Sequence, residues 1–157
     1  MTFIKKKFFK SENVSSPGSP NTSTTYAEIE GSRVSIEKLN ESSDLYYFFS
    51  FSSIALSGYN AFLHVKLQKS NDNFSSNIVD VDNCNYNFSS DTGGGTDYLY
   101  KINNVFFIVE NTNNDSLRLV VRTYSSSTIS RLHITPYFDG TGNNSKYYYP
   151  TLTVREL

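Results

Sequence analysis

Hydrophobic and polar residues alternate with a period of two over long stretches of this chain. In Ala61-Phe62-Leu63-His64-Val65-Lys66-Leu67-Gln68-Lys69, Leu63, Val65 and Leu67 fall on one side and His64, Lys66 and Gln68 on the other. Ser116-Leu117-Arg118-Leu119-Val120-Val121-Arg122 and Arg131-Leu132-His133-Ile134-Thr135-Pro136-Tyr137-Phe138 repeat the scheme. Side chains on a strand point to alternate faces, so the pattern predicts half-buried antiparallel sheet. Strands are expected near 26–36, 45–56, 61–69, 77–81, 98–102, 105–110, 117–124, 130–138 and 147–155. Turn chemistry separates them at Ser57-Gly58, Asn71-Asp72-Asn73, Asp91 to Asp97, Asn103-Asn104, Asn111 to Asp115 and Asp139 to Asn144. Short strands in such number predict an all-β, two-sheet antiparallel sandwich of jelly-roll type. Within it, 61–69, 117–124 and 147–155 are expected to share one sheet. The run Tyr46-Tyr47-Phe48-Phe49 is apolar on both sides. That strand should therefore be covered twice, once by the opposite sheet and once by something else.

The first 25 residues break the pattern. A basic and aromatic tip, with Phe3, Lys5, Lys6, Lys7, Phe8, Phe9 and Lys10, leads into a Ser- and Pro-containing stretch without periodicity. The expected organisation is an extended arm over 1–25 and a jelly-roll domain over 26–157. Solvated tails usually lack aromatic rings, which makes the tip a candidate anchor to a larger particle.

Composition narrows the function classes. The chain of 157 residues carries 14 Lys+Arg against 15 Asp+Glu, a net charge of −1 that gives no overall pull toward nucleic acid. Ser, Thr and Asn together make up roughly a third of it, solvating loops and outer faces without charge. Cys84 is the single cysteine, so neither an intrachain disulfide nor a cysteine-based zinc site is available. The basic start lacks the apolar run of a signal peptide, and no stretch approaches a membrane span. Neither nucleic acid nor membrane is expected as a partner.

Candidate chemistry is sparse. His64 and His133 are the only histidines, both placed by alternation away from the core and neither beside a nucleophile motif. Asp80 and Asp82 share a strand face near a turn, but the Gly and closing Glu of a calcium loop are missing, so no metal site is assigned. Asp91-Thr92-Gly93-Gly94-Gly95-Thr96-Asp97 lacks the Gly-Lys-Ser/Thr ending of a phosphate loop. No enzyme activity and no cofactor are expected. What stands out instead is a set of large side chains opposite the aliphatic face: Phe62, His64, Val120, Tyr124, Tyr147 and Tyr149, with Tyr26 nearby. Burying each such ring contributes about 1.5–3 kcal/mol, which makes these residues the expected interface between identical subunits.

Gly31-Ser32-Arg33-Val34-Ser35-Ile36, followed by Ser42 to Phe51, resembles the opening of jelly-roll modules in virion proteins of marine-type bacteriophages. These in turn resemble the trimeric globular heads of the tumour necrosis factor and complement superfamily. The segments 61–68, 117–124 and 147–154 continue the likeness, which spans about residues 26 to 157. Glu37-Lys38-Leu39 departs from it, standing where many such modules carry Tyr-x-Pro. The resemblance implies a non-enzymatic homotrimer with one sheet of each subunit against the threefold axis. On this basis the expectation is a virion-located structural protein. It would be a capsid decoration or short head fibre, held by its arm to major capsid or tail proteins. The alternative is a tail-fibre module recognising a receptor or host surface glycan through the loops 71–73, 91–97 and 139–144.

Overall fold

The computed structural model describes residues 3–8, 22–38, 42–55, 61–90, 100–110, 115–124, 130–138, 143–147 and 150–157. Its strands are β1 (Phe3–Phe8), β2 (Ala27–Glu28), β3 (Val34–Ser35), β4 (Leu45–Ala55), β5 (Ala61–Ser70) and β6 (Val79–Ser90). They continue with β7 (Tyr100–Val109), β8 (Ser116–Thr123), β9 (Ser130–Leu132), β10 (Ile134–Phe138), β11 (Asn143–Tyr147) and β12 (Thr151–Glu156). One sheet, here the front sheet, runs β1-β12-β4-β7, with β9 also pairing β4. The back sheet runs β2-β8-β5-β6, with β3 also on β8, and β10 and β11 form a separate pair. Every pairing is antiparallel.

The pairings nest. β5 pairs with β6, β4 with β7 outside it, β2 and β3 with β8 outside that, and β1 with β12 outermost. Rolling such a nested set of hairpins places alternate pairs in opposite sheets, which is the jelly-roll arrangement expected from the sequence.

Alternation decides what fills the sandwich. On β4, Leu45, Tyr47, Phe49 and Phe51 are fully buried, and they meet Leu63, Val65 and Leu67 of β5 and Leu117, Leu119 and Val121 of β8 in one core. Tyr47 is admitted because its hydroxyl donates to the Ser32 main-chain carbonyl, satisfying the polar end of a buried ring.

Several expected elements differ in the structure. The segment 26–36 is two short strands on β8, interrupted by a turn in which Gly31 takes φ 84°. Ser32 replaces the interrupted ladder: its hydroxyl donates to the Ile29 carbonyl at 2.6 Å and accepts from the Leu119 amide at 3.0 Å. Asn103-Asn104 is not a turn but the middle of β7, where the buried Asn103 Nδ2 donates to Ser53 Oγ at 2.8 Å. β6 is far longer than the expected 77–81, because Cys84, Tyr86 and Phe88 turn toward the core while Asn85 and Asn87 face out. The segment 130–138 breaks at His133, whose φ of 60° stops the strand; His133 is also fully buried rather than directed outward. The expected strand 147–155 is divided between β11 and β12 around Pro150. β12 lies in the front sheet between β1 and β4, so it does not share a sheet with β5 and β8 as expected. Residues 3–8, read as part of the arm, are extended and run antiparallel to β12 as the last strand of the front sheet.

Candidate functional site

Two outer faces are candidates, and they differ in chemistry. The outer face of the front sheet is an apolar ladder. Across β4 and β7, Tyr46 lies opposite Ile108, Phe48 opposite Phe106 and Ser52 opposite Ile102. Ile102, Phe106 and Ile108 are 46%, 55% and 48% exposed, so this face presents half-covered aliphatic and aromatic groups in register. On β12, Thr153 stands opposite Phe48, and the Arg155 guanidinium carbon lies 5.9 Å from the centroid of the Tyr46 ring. A monomer leaves such a row in water, whereas a second protein surface removes it.

The outer face of the back sheet is a polar lattice. Lys66 Nζ lies 2.6 Å from Asp80 Oδ2, and Gln68 Nε2 donates to Asp80 Oδ1 at 2.9 Å. Arg118 donates to Gln68 Oε1 through both Nε and Nη2, and its Nη1 lies 3.2 Å from Glu28 Oε2. Glu28 also pairs with Arg33. Burial pushes the Asp80 carboxyl up, but the bonds from Lys66 and Gln68 outweigh it and hold the group below its ordinary range. Tyr26 lies over this lattice. Its hydroxyl shares a hydrogen bond with His64 Nδ1, and its ring centroid is 4.1 Å from Lys66 Nζ and 5.0 Å from the Arg122 guanidinium carbon. Burial, and then the charges of Arg122 and Lys66, hold His64 below its ordinary value, so it is neutral at neutral pH.

The residues expected at a subunit interface are thus partly brought together. Tyr26, Phe62, His64, Val120 and Tyr124 do share the outer region of the back sheet, with Phe62 and Tyr124 joined by the Tyr124 amide donating to the Phe62 carbonyl at 3.2 Å. Val120, although directed outward, is only 2% exposed and leaves a partner nothing to bury. Tyr147 belongs to β11, which pairs with β10 and not with a back-sheet strand, and Tyr149 lies outside the described residues. Of the anchor candidates, Phe3, Lys5, Lys6, Lys7 and Phe8 are in β1, and Phe9 and Lys10 lie outside the described residues.

Asp80 accepts from Lys66 and Gln68, and among the described residues no three His, Cys, Asp or Glu side chains come together. The 71–73 loop is closed on itself. Asp72 accepts from Ser70 Oγ, from the Ser76 hydroxyl and from the amides of Ser75, Ser76 and Asn77, and these bonds hold its carboxyl well below the usual carboxylate range. The loops 91–97 and 139–142 lie outside the described residues. Cys84 faces inward, and burial pushes its thiol up to about 11.

The front-sheet ladder was only half visible in sequence. The two-sided apolar run at 46–49 points to an apolar outer face on β4, but the turn propensity of Asn103-Asn104 masks β7 and with it the register of Ile102, Phe106 and Ile108. No known family model matches the chain, and no curated protein matches its sequence.

Proposed function

We propose that this chain is a structural protein of a virus particle, a homotrimer that packs its front sheets together and attaches to capsid or tail proteins through its N-terminal segment. The single observation carrying the assembly is the ladder Tyr46/Ile108 and Phe48/Phe106 on the outer face of β4 and β7, with the exposed Ile102 beyond the polar pair Ser50/Asn104. Ranked against it, the back-sheet face is already knitted by its own ion pairs and hydrogen bonds, and desolvating those groups would oppose self-association. The virion location and the threefold symmetry rest on the resemblance of segments 31–51, 61–68, 117–124 and 147–154 to phage jelly-roll modules. Both histidines have structural settings, His64 bonded to Tyr26 and His133 enclosed in the core, which suits a role in assembly better than catalysis.

Molar mass by sedimentation tests the assembly. The wild-type chain is expected at three times its 17.8 kDa. Phe106→Lys with Ile108→Lys is expected to sediment as a folded single chain, because each burial forfeited contributes about 1 kcal/mol or more per subunit. A wild-type monomer at high concentration, or a variant that still associates, refutes the front-sheet interface. Copy number in purified particles then tests the virion assignment, which fails if the protein is absent from them.

A further inference from the structure

An open hollow of about 460 Å³ lies on the outer face of the back sheet, lined by Phe62, Leu63, His64, Asn87, Arg122 and Tyr124. Its floor is made by strand register: His64 of β5 lies between Arg122 of β8 and Asn87 of β6, and Phe62 and Tyr124 stand one step along. The two rings are 50% and 83% exposed. The volume falls in the range of small-ligand sites, about 300–1,000 Å³.

Charge chooses the ligand. Arg33, Lys66 and Arg118 each pair with a carboxylate of this chain. Arg122 forms no ion pair among the described residues; its guanidinium is held against the face of the Tyr26 ring instead. A cation–π contact engages the plane of a guanidinium and leaves its in-plane N–H fork free to accept a carboxylate in two parallel bonds. His64, beside Arg122 in the floor, is bonded through Nδ1 to Tyr26.

We infer that this hollow binds a carboxylate-bearing sugar of the uronic or sialic type, its carboxylate on Arg122, its hydroxyls on Asn87 and its apolar ring face against Phe62 and Tyr124. Aromatic faces and an amide suit a pyranose, which is apolar above its ring and polar around its rim. A bare inorganic anion gains nothing from the two rings, and a neutral sugar leaves the Arg122 fork unused. The site is on the opposite face from the proposed assembly surface, so each can fail without the other.

Calorimetric titration of the full chain with a polyuronate trisaccharide and with sialyllactose tests this. Each probe is paired with its carboxyl-reduced form, and single-stranded oligothymidylate serves as a polyanion control. Saturable binding of at least one acidic sugar is expected, weakened about tenfold or more by carboxyl reduction and by Arg122→Gln. Tyr124→Ala is expected to weaken binding as well, and both variants should keep the wild-type thermal midpoint. Arg122→Lys, which keeps the charge and loses the fork, should fall between wild type and Arg122→Gln. No binding of either sugar at millimolar concentration overturns the inference. So does equal affinity for the reduced forms, equal affinity of Arg122→Gln, or oligothymidylate binding that Arg122→Gln abolishes while sugars are ignored.

Discussion

Acid should weaken this fold through His133 in particular. The side chain is fully buried, its ring centroid 6.5 Å from that of Phe51, and its amide donates to the Ser52 carbonyl at 2.8 Å. Burial drives its pKa down from 6.5 to about 4, with a main-chain hydrogen bond at Glu30 pulling part of the way back. A folded pKa below the unfolded one means that the unfolded chain takes up a proton first as pH falls. The contribution is therefore complete above about pH 6.5 and is lost progressively toward pH 4. The difference of about 2.5 pH units corresponds to roughly 3 kcal/mol, a large share of the ~5–15 kcal/mol that holds a typical domain together. Urea unfolding followed by tyrosine fluorescence, at constant protein concentration and at about pH 7.5, 5.5 and 4, measures it directly. His133→Asn is the comparison: Asn tolerates the φ of 60° and does not titrate. The variant is expected to be less stable at neutral pH, having lost the ring's packing, and the gap should close by roughly 3 kcal/mol on acidification. His64→Gln in both backgrounds removes the other histidine from the comparison. If the stability-versus-pH curves of wild type and His133→Asn run parallel, the enclosure of His133 does not have the consequence argued here.

Ser32→Ala should lower stability by about 2 kcal/mol in equilibrium unfolding, because it removes an acceptor from the buried Leu119 amide and a donor to Ile29 together; an unchanged midpoint would mean that these groups find other partners. Replacing Lys5, Lys6 and Lys7 by Glu should leave the molar mass in solution unchanged and reduce loading onto particles by about tenfold or more, as expected for loss of several charge contacts. Charge reversal is preferable to truncation here, since deleting residues 3–8 also strips β1 from β12. Undiminished loading of the reversed variant would remove these lysines from the anchor.

How far the sequence reaches is clear from particular strands. β5 and β8 are legible nearly to the residue because large apolar groups point inward and mostly polar ones outward, and β4 because it is an unbroken run of aromatic, Ser and aliphatic residues without turn chemistry. β6 was not, since its inward residues Cys84, Tyr86 and Phe88 are diluted by asparagines whose turn propensity outweighed their alternation. β7 failed for the same reason at Asn103, where a tertiary hydrogen bond to Ser53 accommodates an amide inside the sandwich. The sheet partner of β12 depends on the order in which the roll closes, which alternation within one strand does not encode. The Arg122 hollow is assembled across three strands, and in sequence Asn87, His64 and Arg122 carry no common signal.

The position of β12 between β1 and β4 has a kinetic meaning. Residues 151–156 follow every other described strand along the chain, yet they lie inside the front sheet rather than at its margin. Until they emerge, β4 offers one bare flank, rich in Tyr and Phe, and β1 has no neighbour at all among the described strands. Contacts between residues as distant in sequence as Phe3 and Arg155 close slowly, and an open aromatic flank is where nascent copies stick to each other. The vulnerable period in the life of this protein is the interval between translating Leu45, where β4 begins, and Glu156, where β12 ends.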